Sequence, residues 1–148
     1  MNLKILFLLL ILAAVTACSS GGTSEEVNLD TSNQPGREVA VEGGTYRDIS
    51  VSELQTMMDN KDFTLVNVHI PFEGDIPETD ISFPFDQVEG NLDKLPEDKD
   101  AKIVLYCRSD RMSNIAAEEL VGLGYTNIWN LDGGFNAWKD AGLPMEGE

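Results

Sequence analysis

The sequence predicts an α/β domain with a mainly parallel sheet. From Thr45 onward, short apolar segments that suit β-strands alternate with amphipathic segments that suit α-helices. This order is typical of parallel strands joined by helical crossovers. The 148 residues suffice for one domain with a substantial core and not for two. A hydrophobic content of 42% with 24% charged residues is typical of a soluble globular protein.

The elements of this domain follow from apolar periodicity and from the residues that start and stop helices. The strand candidates are residues 45–49, 64–68, 102–106 and 127–131. The helix candidates are residues 51–60, 85–95 (a weak one), 112–124 and 135–141. Ser50 and Glu53 form a capping-box sequence before the first helix, and Gly124 ends the third. The third helix is predicted to face the core with Met112, Ile115, Ala116, Leu120 and Leu123.

The first 17 residues predict an export signal. Lys4 precedes eleven uninterrupted apolar residues, from Ile5 to Val15, a length typical of a signal-peptide core and short for a membrane span of about 17–25 residues. The following Thr16-Ala17-Cys18 completes a segment that resembles the bacterial lipobox. We therefore predict a lipoprotein signal peptide at 1–17 and acylation of Cys18. The protein would be exported and lipid-anchored to a membrane facing the periplasm or cell exterior. The alternative is an ordinary signal peptide with an incidental cysteine.

Residues 18–44 are predicted to be the lipidated Cys18 followed by a flexible tether, with the folded domain at 45–148. The segment is rich in Ser, Gly, Asn and acidic residues and has no sustained apolar period. Such a composition buries too little apolar surface to fold. As a flexible coil it would span roughly 25–30 Å. The alternative is that Val39 and Val41 begin an edge strand.

Cys107 lies between the strongest strand candidate and a helix start. Sites in open α/β sheets lie beyond the carboxyl ends of the strands. A helix that begins near Met112 or Ser113 would direct its free N–H groups and positive dipole end toward the sulfur, and with Arg108 and Arg111 would stabilise a thiolate. The same N–H groups would form a cradle for anions. These features predict a nucleophile for an anionic or electron-rich sulfur, phosphorus or arsenic substrate; the alternative is a buried, inert cysteine.

The cysteine count supports a chemical role for this thiol. The chain has two cysteines, Cys18 and Cys107. Acylation of Cys18 through its sulfur would prevent a disulfide and leave Cys107 as a free thiol outside the cytoplasm. A free thiol is exposed to oxidation there, so a chemical role is favoured over a packing role.

Three segments resemble the rhodanese homology domain, the single-domain sulfurtransferase family. They read LVNVHIPFE, KIVLYCRSDRMSNIAAEEL and GYTNIWNLDGGFNAWKDAGLP, and the match runs in order from about Tyr46 to Pro144. The resemblance implies a five-stranded, mainly parallel sheet flanked by helices on both faces. It also implies a cysteine that takes sulfane sulfur from a donor such as thiosulfate or a persulfide and passes it to a thiol or cyanide. No metal or organic cofactor is implied.

The resemblance also implies roles for individual residues. Cys107 would be the nucleophile and the persulfide carrier. The substrate-binding loop would consist of Arg108, Ser109, Asp110, Arg111, Met112 and Ser113. A neighbouring segment that packs against this loop is interpreted as structural and contains Asp132, Gly133, Gly134 and Trp138.

Several positions depart from the family pattern. Asn67-Val68-His69 stands where members often have Asp-Val-Arg, and Gly74-Asp75-Ile76-Pro77-Glu78 replaces Gly-His-Ile-Pro-Gly. The third strand and its loop are therefore expected to be rebuilt. Asp110 and Met112 stand where glycine and a polar residue are common, and a carboxylate among N–H donors would oppose a dianion such as thiosulfate. His69, the only histidine, is interpreted as a loop or capping residue, with a general-base role as the alternative.

Two other classes of function remain as alternatives. Phosphatases and arsenate reductases of related architecture use a cysteine loop, but they need an arginine six positions after the cysteine. Here that position is Ser113, and Arg111 falls too early. The other alternative is a non-catalytic module whose loop binds a partner protein or a sulfur species.

Net charge constrains the partners. The chain carries a formal charge of −16, which disfavours nucleic acid and anionic lipid surfaces and slows the approach of anionic donors. We therefore expect a small sulfur donor and a thiol acceptor as partners. We expect no nucleic-acid partner, membrane contact through the N-terminal lipid only, and a monomer.

Overall fold

A computed structural model describes residues 34–147 of the chain. The predicted signal peptide, Cys18 and the tether up to residue 33 lie outside the described residues. In this part of the chain, six strands form one sheet in the order β1-β2-β6-β5-β3-β4. The strands are β1 Arg37–Val41, β2 Gly44–Ile49, β3 Thr64–Asn67, β4 Ile81–Ser82, β5 Ile103–Tyr106 and β6 Ile128–Leu131. All neighbours are parallel except β1 and β2, which confirms the α/β class with a mainly parallel sheet.

The prediction of five strands was wrong by one, because β1 lies in the segment assigned to the tether. β1 forms an antiparallel hairpin with β2, in register from Arg37 opposite Asp48 to Val41 opposite Gly44. Val39 and Val41 pack against the core, so the edge-strand alternative describes this segment. The folded domain therefore begins no later than Arg37, because pairing with β2 supplies the backbone hydrogen bonds that this polar segment needs.

Within residues 34–147, three helices connect strands, and a fourth helix follows β6. They are α1 Val51–Met58, the 3₁₀-helix Glu89–Lys94, α2 Arg111–Gly122 and α3 Gly134–Asp140. The capping box before α1 is confirmed, since Ser50 Oγ accepts from Glu53 N and Glu53 Oε2 accepts from Ser50 N. The weak helix predicted at 85–95 is shorter and of the 3₁₀ type. Asn91 in its middle has non-helical backbone angles.

The core lies on both faces of the sheet, as predicted for flanking helices. α2 packs on one face with the odd-numbered residues Ile103 and Leu105 of β5. α1 and α3 pack on the other face with the even-numbered Val104 and Tyr106. This alternation is the period of two of a strand, and all four residues are fully buried because both faces are covered.

The predicted inward face of α2 is partly wrong. Ile115 is 38% exposed, and the buried positions are Ser113, Ala116, Ala117, Leu120 and Val121. They follow the i, i+3, i+4, i+7, i+8 pattern of one helix face, which small Ala117 and polar Ser113 obscured in the sequence. Met112 and Leu123 lie at the edge of this face, partly buried.

Of the helices between residues 34 and 147, none is long and apolar enough to span a membrane.

Candidate active site

Cys107 follows β5 directly and lies at the carboxyl end of the sheet, where the sequence places the site. The residue is 2% exposed and its thiol is free. Ser113 Oγ lies 3.4 Å from Cys107 Sγ and 3.1 Å from the carbonyl oxygen of Asp110. Ser113 is thus a fully buried hydroxyl behind the sulfur, in the first turn of α2.

The loop after Cys107 is short because α2 begins at Arg111, earlier than the sequence suggested. No side chain caps this helix end, so its first N–H groups are free to meet a ligand. The positive end of the helix dipole lies at the same place. The loop therefore has the local features of an anion cradle.

α3 holds this loop from the other side. Phe135 N donates to the Cys107 carbonyl at 2.9 Å, and Asn136 N donates to the Arg108 carbonyl at 3.0 Å. This approach requires glycine at 134, because a Cβ there would lie 2.2 Å from the Cys107 carbonyl oxygen, and its φ is +56°. The segment interpreted as structural therefore contacts the active-site loop through its backbone.

Asp110 is turned toward α3. Its Oδ1 accepts the Gly133 N–H at 2.7 Å. Burial raises the pKa of Asp110, an effect that the hydrogen bond from Gly133 opposes. The carboxylate thus ties the loop to the start of α3 and is absent from the lining of the cavity beside Cys107.

That cavity is about 150 Å³ and is open to solvent. Its lining residues are His69, Cys107, Arg108, Ser109, Arg111 and Met112. Five of the seven predicted catalytic and loop residues therefore meet at one cavity, while Asp110 and Ser113 lie beside and behind it. Two arginines and no carboxylate line it, so it is electropositive in a strongly acidic protein.

His69 also lines this cavity, although the sequence favoured a loop or capping role. Its backbone N–H donates to Asn67 Oδ1 at 2.9 Å, and its ring packs edge-on against Phe135 with centroids 5.2 Å apart. Nε2 lies 3.4 Å from Glu73 Oε1, but neither ring nitrogen makes a well-oriented hydrogen bond to the described residues. The feature of the sequence that could have indicated this position is that the only histidine of the chain stands just after β3.

Glu73 was not singled out by the sequence. Its Oε1 lies 3.4 Å from Arg108 Nη1 as well as from His69 Nε2. A single carboxylate oxygen thus contacts two of the residues that line the cavity. Their separation along the chain, 35 residues for Arg108 and Glu73, explains why no local pattern indicated the contact.

The loop before β4 is held by Asn67 and Tyr106. Asn67 Nδ2 donates to the Gly74 carbonyl at 3.0 Å and to Asp75 Oδ1 at 2.8 Å. Tyr106 OH accepts from Ile76 N at 3.0 Å, and burial raises the pKa of Tyr106 well above its ordinary value, so the hydroxyl stays neutral. The strand that follows this loop, β4, has two residues.

The donor atoms for a metal ion are not assembled in this part of the protein. Between residues 34 and 147, no group of three His, Cys, Asp or Glu side chains is close enough to hold a metal ion. The groups that line the cavity include a thiol, two guanidinium groups and an imidazole.

The fold and site define an α/β domain with a cysteine loop between a central parallel strand and a helix N-terminus. The model of the rhodanese-like domain family matches residues 50–141, so the chain belongs to that family.

Known proteins similar to this chain include sulfurtransferases. A sulfurtransferase of Allochromatium vinosum is 35% identical over 99 residues, which cover 65% of this chain and 90% of that protein. Thiosulfate sulfurtransferase GlpE of Vibrio cholerae is 28% identical over 98 residues, covering 66% of this chain and 92% of that protein. The crystal structure of a rhodanese-related protein from Thermoplasma volcanium superposes with a TM-score of 0.58 at 29% identity, covering 68% of this chain and 97% of that one.

Proposed function

We propose that the protein is a sulfurtransferase that carries sulfane sulfur on Cys107. The observation that carries the proposal is the position of this free thiol in an electropositive cavity, at the junction of β5 and α2. Similarity to sulfurtransferases supports the same chemistry. The donor would be thiosulfate or a persulfide, and the acceptor a thiol or cyanide.

The reaction is two displacements at sulfur. The Cys107 thiolate attacks the outer sulfur of the donor, the donor's S–S bond breaks, and with thiosulfate the leaving group is sulfite. The acceptor thiolate or cyanide then attacks the outer sulfur of the Cys107 persulfide, and the Cys107 thiolate leaves. Each step moves one electron pair onto the leaving sulfur and needs no external oxidant or reductant.

The loop residues support these steps through charge and position. Arg108 and Arg111 line the cavity and attract an anionic donor. The uncapped start of α2 offers N–H groups to a thiolate or persulfide anion. A phosphoryl-transfer role has less support, because the clamping position six residues after Cys107 is the buried Ser113.

The test is direct detection of the persulfide. The full chain is incubated with thiosulfate, freed of excess donor and digested for mass spectrometry. We expect the peptide with Cys107 to gain about 32 Da, one sulfur atom, and cyanide to remove this mass as thiocyanate. A folded protein whose peptide never gains sulfur from thiosulfate or from an organic persulfide would favour a non-catalytic binding module.

We further propose that the protein is exported and anchored through lipid on Cys18. The apolar run from Ile5 to Val15 and the small residues before Cys18 support this. Residues 19–33 would then connect the anchor to a domain that begins no later than Arg37. Mass spectrometry of protein from the membrane fraction should find a lipidated N-terminal peptide that begins at Cys18; an unmodified Cys18 inside a longer peptide would contradict the anchor.

Asp110→Asn should leave the loop in place, whereas Asp110→Gly should loosen it. Only the amide keeps an oxygen that can accept the Gly133 N–H. We expect Asp110→Asn to retain kcat/KM within about threefold, and Asp110→Gly to lose activity equally with thiosulfate and with a less charged donor. An increase specific to thiosulfate in Asp110→Gly would show instead that the carboxylate repels the donor.

The pH dependence of stability gives a second measurement on Asp110. Burial raises the pKa of this carboxyl, so the stability gained by protonating it in the folded state is present below the unfolded pKa. That stability is lost as pH rises through the folded pKa. The free energy of unfolding of Asp110→Asn, relative to that of the wild type, should therefore be higher near pH 7 than near pH 3, as measured by urea unfolding. An equal difference at both pH values would contradict this interpretation.

A further inference from the structure

Glu73 connects two of the residues that line the Cys107 cavity. Its Oε1 lies 3.4 Å from Arg108 Nη1 on one side and 3.4 Å from His69 Nε2 on the other. Arg108 and His69 both line the cavity, and Glu73 itself does not. Glu73 thus contacts the cavity indirectly, through its pairing with Arg108.

The backbone around Glu73 is fixed by a single buried side chain. Asn67 accepts the His69 N–H through Oδ1 and donates to the Gly74 carbonyl through Nδ2. The residues on both sides of the turn that carries Glu73 are thus bonded to the same amide, which is 1% exposed. This arrangement restrains the backbone segment that carries Glu73.

The imidazole of His69 completes the pocket for this carboxylate. His69 is 6% exposed, packs edge-on against Phe135 and has no well-oriented hydrogen bond at either ring nitrogen within the described residues. Glu73 is the acidic side chain that faces its Nε2. The carboxylate thus lies between a guanidinium group and an imidazole ring.

We propose that Glu73 is a specificity-determining residue of the Cys107 site. By holding Arg108, it biases the cavity toward sulfane-sulfur donors that carry one negative charge or none, and against dianions. This inference rests on the proposed sulfur-transfer function and names the donor class: organic persulfides and thiosulfonates are favoured over thiosulfate.

The reason is the charge that the cavity offers to a ligand. Two guanidinium groups line it, but the positive charge of Arg108 is partly neutralised by Glu73 at 3.4 Å. Arg111 has no ion pair with the carboxylates of residues 34–147, so about one uncompensated positive charge remains. A monoanion matches this charge. A dianion carries a second negative charge that the cavity does not compensate and that the field of a chain with a net charge of −16 repels.

The test compares two donors of similar shape that differ by one charge. Thiosulfate is a dianion, and methanethiosulfonate replaces one of its charged oxygens by a methyl group. Binding is measured by NMR titration of the amide resonances of the full chain carrying Cys107→Ser, which prevents reaction. We expect methanethiosulfonate to bind at least as tightly as thiosulfate. Adding Glu73→Gln should then tighten thiosulfate binding about three- to tenfold and methanethiosulfonate binding about two- to threefold, because the Coulomb energy scales with ligand charge and the fold-change for a monoanion is the square root of that for a dianion.

Two further variants isolate the mechanism. Glu97→Gln removes the same charge from the loop before β5, at the opposite end of that strand from Cys107, and should change neither affinity appreciably. In an Arg108→Gln background, Glu73→Gln should have a smaller selective effect, because the part of the effect that depends on the pairing with Arg108 is gone.

The outcomes separate this inference from the proposed function. Equal changes for both donors in Glu73→Gln, or a selective gain that is undiminished without Arg108, would overturn the role of Glu73. These titrations measure binding and need no turnover, so the two proposals can fail separately. A wild-type protein that forms no persulfide would overturn the sulfur-transfer proposal, whatever the titrations show.

Discussion

Replacing Cys107 by serine should abolish sulfur transfer and leave the fold intact. A serine hydroxyl cannot accept sulfane sulfur to form a persulfide, so the rate should fall by at least about 10³-fold, to that of the buffer. The two side chains are similar in volume, and the polar Ser113 Oγ at 3.4 Å can accommodate a hydroxyl in place of the thiol. Thiocyanate formation measures the loss, and circular dichroism with thermal unfolding measures the fold.

Ser113→Ala is the matched control for this substitution. It removes the hydroxyl next to Cys107 and leaves the sulfur. This variant should still form the persulfide. Turnover above that of the buffer in Cys107→Ser, with normal folding, would remove Cys107 from the mechanism.

Gly134→Ala should destabilise the protein and disable the site at the same time. The added Cβ would lie 2.2 Å from the Cys107 carbonyl oxygen and 2.8 Å from the carbonyl carbon of Arg108. Both are backbone atoms and cannot rotate away. The φ of +56° is also unfavourable for alanine. We expect the free energy of unfolding to fall by about 3 kcal/mol or more.

The loss of activity in Gly134→Ala should exceed the loss expected from unfolding alone. Moving α3 away would break the hydrogen bonds from Phe135 N to Cys107 O and from Asn136 N to Arg108 O. These bonds hold the loop that presents the thiol. Urea unfolding measures the stability, and activity should be measured at a temperature at which the variant remains folded.

Gly142→Ala separates the steric clash from the conformational cost of a positive φ. Gly142 has a φ of +79°, but a Cβ there would meet no atom within 4 Å. The free energy of unfolding of this control should fall only by the conformational cost, about 1 kcal/mol, and the variant should keep its activity. If Gly134→Ala were no more destabilised than Gly142→Ala, the close approach of α3 to the loop would not constrain the protein.

Several features of the fold were predictable because neighbouring residues encode them. Ser50 and Glu53 are three residues apart, so the capping box depends on local geometry. The apolar segment at 103–106 consists mainly of residues with high strand propensity, and the polar residues after Cys107 mark its carboxyl end. The location of the cavity followed from these two signals together with the general rule for sites in parallel sheets.

The sequence by itself also determined the residue types of the site, with a thiol and two arginines within five positions. Only the tertiary structure decided what each side chain contacts. β1 is a strand because β2 supplies its hydrogen bonds, and Asp110 turns from the cavity because Gly133 N, 23 residues away, attracts its carboxylate. Glu73 reaches Arg108 across 35 residues. Such contacts depend on packing between elements that are distant in the chain, and no local period or spacing carries that information.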